Sequence, residues 1–207
     1  DFDRLVDALH RRGMGLVMDI VPNHMGVLAG DNAWWLDVLE NGPASAWGRF
    51  FDIDWNPLNP ALKGKILLPL LGEHYGTVLN RGELRLAFDA GRGEFSLFYY
   101  EHRLPIDPAT YPQIIGHRLD HLGAVLGETN QHHIELLSLL TAFSHLPGRL
   151  DDEPARQAER QRDKEVLKRQ LAALHAACAD IATHIDTALT ELNGTAGDPA
   201  SFDLLHE

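Results

Sequence analysis

The sequence is short of the features that most quickly place a chain in a class. It holds a single cysteine, Cys178, so no intramolecular disulfide can staple it. That usage fits a reducing compartment and points to the cytoplasm. Basic residues are outnumbered 18 to 30 by acidic ones, and the net charge of -12 argues against nucleic acid or an anionic membrane surface as partner. No apolar run approaches the ~20 residues of a membrane span, and the first residues do not read as a signal peptide. Low-complexity segments are missing too. What remains is a chain of 207 residues, 44% of them hydrophobic. That is ample for a globular core and long enough for one domain or a domain and a half.

The stretch from Leu16 to Gly26 organises the reading. Residues 1–12 have an amphipathic helical pattern, with Phe2, Leu5, Val6 and Leu9 on one side, and Gly13 is a helix breaker. Leu16, Val17, Met18, Ile20 and Val21 then suit a strand buried on both faces, as in a parallel sheet. Pro22 cannot donate to a ladder and ends it. Asp19, Asn23 and His24 fall at or just past the carboxyl end of that strand, where barrels and open α/β sheets bind ligands. An ordinary strand end with a capping Asn is the plain alternative. The partner strands of such a unit are missing, so its apolar faces need another surface. A second copy of the chain, forming a homodimer, is one cover.

Residues 25–63 are rich in Gly, Pro, Asn and Trp, which predicts loop with short helical turns around 34–39 and 44–50. Trp34, Trp35, Trp47 and Trp55 offer flat faces for sugar rings, but large aromatics are mostly buried, and core packing is the more common use of any one of them. Asp52 and Asp54 form a D-x-D pair, but without a third carboxylate or a glycine-centred loop no metal is expected there. From Lys65 to about Pro105 the pattern turns to strands. Ile66–Leu71 is a continuous apolar run, while 83–88 and 94–98 alternate with a period of two around a hairpin turn at 89–93. Tyr75, Tyr99, Tyr100, Glu101, His102 and Arg103 are candidate ligand contacts, with Arg103 equally the buried partner of Glu101.

From about Tyr111 the pattern is helical. One helix carries Ile114, Ile115, Leu119, Leu122, Val125 and Leu126, and a second spans about 131–146. A third is predicted over about 153–192, where Leu167, Leu171, Leu174, Cys178, Ile181, Ile185, Ala188 and Leu192 recur as a heptad seam. It should lie along the 131–146 helix as a hairpin. Asn193–Gly194 ends it, and Gly197–Asp198–Pro199 opens the next helix. His117 and His121 are spaced like two zinc ligands, but Arg118 stands where H-E-x-x-H needs its Glu. His132 and His133 are adjacent and point apart, so neither pair is expected to bind metal.

Asp19-x-x-x-Asn23-His24 resembles the first signature of the α-amylase superfamily, glycoside hydrolase family 13, which lies on the third strand of a (β/α)8 barrel. Four further stretches look like the maltooligosyltrehalose synthase family within it: 34–43, 50–55, 65–72 and 99–103. Ala33 stands where such enzymes usually have a Pro before the paired tryptophans. The resemblance implies an α+β chain. Residues 1–26 would be a barrel fragment of one helix and one strand, and 27–110 a domain B-like insertion with a small antiparallel sheet. A helical subdomain would occupy 111–194, and 195–207 would start another helix. It implies a maltooligosaccharide substrate, no cofactor, and a substrate-binding set of Asp19, Asn23, His24, Trp34, Trp35, Tyr75, Tyr100 and Arg103. The catalytic carboxylates would follow later barrel strands, past Glu207, which makes the chain an excised piece, inactive alone. An α-amylase-type hydrolase, a free-standing carbohydrate-binding module and a helical interaction module are the rival readings.

Overall fold

The computed structural model describes residues 1–20, 26–27 and 32–206. Among them the chain is α+β, with several helices around one three-stranded antiparallel sheet. The elements in order are α1 (Phe2–His10), α2 (Ala33–Asn41), α3 (Tyr75–Asn80), β1 (Leu84–Asp89), β2 (Glu94–Tyr99) and β3 (His102–Pro105). They continue as α4 (Tyr111–Ile115), α5 (Leu119–Leu126), α6 (Gln131–Ser144), α7 (Pro154–Ala177), α8 (Ala179–Leu192) and α9 (Asp203–His206). Short 3-10 turns at Gly42–Ala44 and Gly48–Phe50 follow α2, where the sequence predicts helical turns.

The main core is helical. All eight residues of the heptad seam are buried, together with Leu136, Leu139, Leu140 and Phe143 of α6 and Ile115 of α4. The seam is therefore covered by the chain's own α4, α5 and α6 rather than by a second protein. Its helix is not continuous. Cys178 has extended torsions, φ -132° and ψ 107°, and serves both as the last cap of α7 and the first of α8. No Gly or Pro marks this break. The seam survives because α8 packs back on α4 and α5 while α7 packs on α6. The predicted helix over 111–126 is likewise split, between α4 and α5, at Gly116–Arg118, where Arg118 takes a left-handed φ of 55°.

The sheet follows the period-two pattern. β1 pairs with β2 from Leu84↔Tyr99 to Asp89↔Glu94, and β2 with β3 from Ser96↔Pro105 to Tyr99↔His102. Asp89 closes the first hairpin by accepting from the Gly91 and Arg92 amides. Gly93, at φ +66°, lies so close to α7 that a Cβ there would overlap the Lys168 carbonyl. Glycine at this one position lets the hairpin dock on α7. The outer edge of β1 is met by a side chain. Asn193, just past α8, accepts from the Leu86 amide at 2.7 Å and donates to the Leu86 carbonyl at 2.8 Å.

Two expected strands do not form among the described residues; Val21, the last residue of the first, lies outside them. Residues 14–20 form no strand, and Leu16, Val17, Met18 and Ile20 are exposed, Val17 at 97%. A strand is held by its neighbours' hydrogen bonds, and no described strand pairs with this one. The α1 helix forms as expected but buries none of its residues. The apolar run at 66–71 also forms no strand. It runs irregularly beside α2 and β3, where Leu68 and Leu70 face Trp35 and Leu104.

Replacing Asn193 by Ala strands both backbone groups of Leu86 at the sheet edge. Urea unfolding should show a loss of about 2 kcal/mol, with helical content by far-ultraviolet circular dichroism unchanged.

Candidate functional site

The site is built around α2, which starts at a side-chain cap. Asn32 Oδ1 accepts from the amides of Trp34 and Trp35, each at 3.1 Å. This leaves two successive tryptophans on different sides of the helix. Trp35 turns inward, buried against Phe51 with ring centroids 5.0 Å apart. Trp34 stays 38% exposed and stacks on Trp47, with centroids 4.2 Å apart and planes 12° from parallel. Phe50 packs against both rings, and the Arg49 guanidinium lies 5.0 Å over Phe50. The result is a half-exposed aromatic surface. Such a surface suits ligands with flat apolar faces.

Further along α2, Asp37, Glu40 and Asn41 meet cations of α7. Glu40 is buried and accepts from both Lys164 and Lys168. Lys164 also reaches Asp37 at 3.2 Å and Lys168 reaches Glu94 at 3.4 Å. On β3, Arg103 donates to Glu94 at 2.6 Å and to Ser96 at 2.9 Å. Asp37, Glu40, Glu94, Arg103, Lys164 and Lys168 line a cleft of about 350 Å³. One turn earlier on α7, Arg160 is 1% exposed and fully used. It donates to Asn41 at 3.1 Å, the Pro147 carbonyl at 2.7 Å and Asp107 at 2.6 Å. Burial alone would push the Glu40 carboxyl up, but Lys168 and Lys164 beside it outweigh that and hold it below its usual 4.5. Lys164 is pushed the opposite way. Its burial favours the neutral amine, and Glu40 and Asp37 override it and keep the ammonium charged.

The structure separates the residues that the sequence singles out. Asn23 and His24 lie outside the described residues, and Asp19 is exposed. Trp34 is in the aromatic surface and Trp35 beneath it. Arg103 lies between the charged cleft and the narrow pocket under Trp35, and its acidic partner is Glu94, not Glu101. Tyr75 opens α3 and is exposed. Tyr100 takes a left-handed φ of 50°, is 65% exposed, and meets Tyr99 edge-on at 4.8 Å. The neighbouring Glu83 carboxylate pushes the Tyr100 hydroxyl up.

Two of the histidines serve the framework. His117 pairs with Glu191 at 2.6 Å, and the buried His184 hydrogen-bonds the Ile115 carbonyl at 2.7 Å. Among the described residues, no group of three or more His, Cys, Asp or Glu comes together to hold a metal. Sequence reasoning passed over Glu40, Glu94, Arg160, Lys164 and Lys168. The signal was present in the spacing, because Arg160 and Lys164 precede Leu167 by steps of four and three, and Lys168 follows Lys164 by another four beside the seam.

Comparison with known proteins gives one consistent likeness. Over 100 residues, 44% of this chain, it is 45% identical to the "Putative maltooligosyl trehalose synthase" of Mycobacterium tuberculosis strain CDC 1551 / Oshkosh. The protein of the same name from strain ATCC 25618 / H37Rv matches equally. The matched stretch spans 12% of the length of each relative. No family model matches the chain, and no solved structure does.

Glu40 titrates lower in the fold than in the unfolded chain, so it stabilises above the ordinary carboxylate range. That contribution fades as the pH falls through its depressed folded value. Glu40→Gln leaves two buried ammoniums short of a partner and should cost about 3 kcal/mol at pH 7. Urea unfolding from pH 7 downward should show the difference from the parent shrinking below pH 4.5.

Proposed function

We propose that this chain is the substrate-facing insertion, with a piece of the barrel, of a (1→4)-α-D-glucan 1-α-D-glucosylmutase. Such an enzyme converts the reducing-end α-1,4 linkage of a maltooligosaccharide into α,α-1,1, the linkage of trehalose. The observation that carries the reading is the 45% identity over 100 residues to two proteins whose printed name is "Putative maltooligosyl trehalose synthase". The stacked, half-exposed tryptophans supply the chemistry that a glucan needs from a binding surface.

Moving a glycosidic bond with retention takes a nucleophilic carboxylate and an acid ~5–5.5 Å apart. In this reading those groups belong to barrel strands outside the present chain. His24 hydrogen-bonds the sugar at the point of cleavage, Asp19 holds the local hydrogen-bond network, and Asn23 fixes the loop that opens the insertion. A mutase must also retain the freed glucose until its anomeric hydroxyl attacks the glycosyl-enzyme, with water kept out. Trp34, Trp47 and Phe50 form a face for that closed pocket, and Tyr75 and Tyr100 are further contacts at its rim. Trp35 and Arg103 act from beneath, one as the wedge under α2 and the other as a bridge to Glu94. A helical interaction module fits less well, since the seam that would serve a partner is already covered within the chain.

In the intact enzyme, Trp34→Ala should raise glucose release relative to the trehalose-ended product severalfold, measured by chromatography of maltopentaose digests. An unchanged product ratio counts against the closed pocket, and hydrolysis products without any trehalose-ended product from the parent enzyme would assign it to the hydrolases.

A further inference from the structure

We infer that Ser45 is a positioning residue, gripped by Asp37 and through it by the buried Lys164, and that it keeps Trp47 stacked on Trp34. A glucan-binding role for that face rests on the function proposed above; the positioning itself rests on geometry.

The connection can be followed atom by atom. Lys164 Nζ lies 3.2 Å from Asp37 Oδ1. The other carboxylate oxygen, Oδ2, accepts from Ser45 Oγ. The same Oγ accepts from the Trp47 amide at 3.1 Å. Ser45 is buried, so its hydroxyl gives and receives within this relay. Asp37 sits one turn after Trp34 on the same side of α2, as residues three apart do. The relay therefore ties the backbone of Trp47 to the helix that carries Trp34, and the rings meet 4.2 Å apart and near parallel. Asp37 is in turn held from two directions, by Lys164 and by the Asn41 amide at 3.0 Å.

A bond from a serine hydroxyl to an amide two residues on is also a common local turn device. On that reading Ser45 shapes its own turn and Asp37 is incidental. The two differ in what Asp37 does. If the relay sets the stack, removing the charge that anchors Asp37 to Lys164 must disturb tryptophans that neither side chain touches.

The reporter is the exciton couplet that two stacked indoles produce in circular dichroism, with Trp47→Phe defining its absence. Ser45→Ala should lower the couplet by at least half, Asp37→Asn should lower it measurably, and Ser45→Thr should keep it. Asn193→Ala, destabilised at a site remote from the relay, should leave it unchanged. A full couplet in Ser45→Ala, or one unmoved in Asp37→Asn, overturns the inference, as does an equal fall in Asn193→Ala. Calorimetric titration with maltopentaose should show affinity falling with the couplet, about fivefold for Ser45→Ala. A parent chain that ignores maltopentaose sinks the glucan reading alone, because the couplet still decides the positioning.

Discussion

One carboxylate shared by two lysines fixes how this molecule is put together. Glu40 on α2 meets Lys164 and Lys168 on α7, partners 124 and 128 residues away in sequence. Lys168 passes the contact on to Glu94 of β2, and Glu94 to Arg103 of β3. Helix, hairpin and aromatic segment thus converge on one cluster. A buried ion network is a weak source of net stability, because desolvation consumes most of the attraction. It is a strong penalty on any other arrangement. Sliding α7 by one turn would take an end member of the row Arg160, Lys164, Lys168 off its carboxylate, so the network favours one register of α7 against α2 and the sheet.

The helices and the aromatic segment consequently form one construction. α7 is apolar along the seam where it faces α6, and cationic, through Arg160, Lys164 and Lys168, toward α2. The first region supplies hydrophobic burial, and the second orients the segment that carries Trp34 and Trp47. A pair of tryptophans half exposed to water would gain more by turning inward. Holding one of them outward requires a rigid support, and the polar side of α2 provides it.

Local periodicity made much of this legible in the sequence. The seam, the 84–99 hairpin, the short helix at the paired tryptophans and the stop at Asn193–Gly194 all depend on spacing within a few residues. Features that depend on distant partners were not legible. Residues 16–20 have the composition of a buried strand, but a strand exists only where others pair with it. Lys164 and Lys168 read as a solvated face because long cations are seldom buried, and the buried carboxylates that permit it, Glu40 and Glu94, lie more than 70 residues away. Arg103 illustrates the same limit at the candidate site. Its cross-strand neighbour is Phe98, so Ser96 and Glu94, on the same face of β2, come within reach. Glu101 sits in the turn beyond the strand. The break at Cys178 carries no glycine or proline and has no local signature.

The amide of Asn193 does for β1 what another strand would do, at a single residue. An open strand edge is a template on which a second chain can add by backbone pairing. With the Leu86 amide and carbonyl already occupied, an incoming strand finds its ladder interrupted at the middle of β1. The opposite edge, β3, is shielded by α2. The sheet is thereby kept at three strands, and self-association through growth of the sheet, the route to fibrous aggregates, is closed at both ends by side-chain and helix contacts.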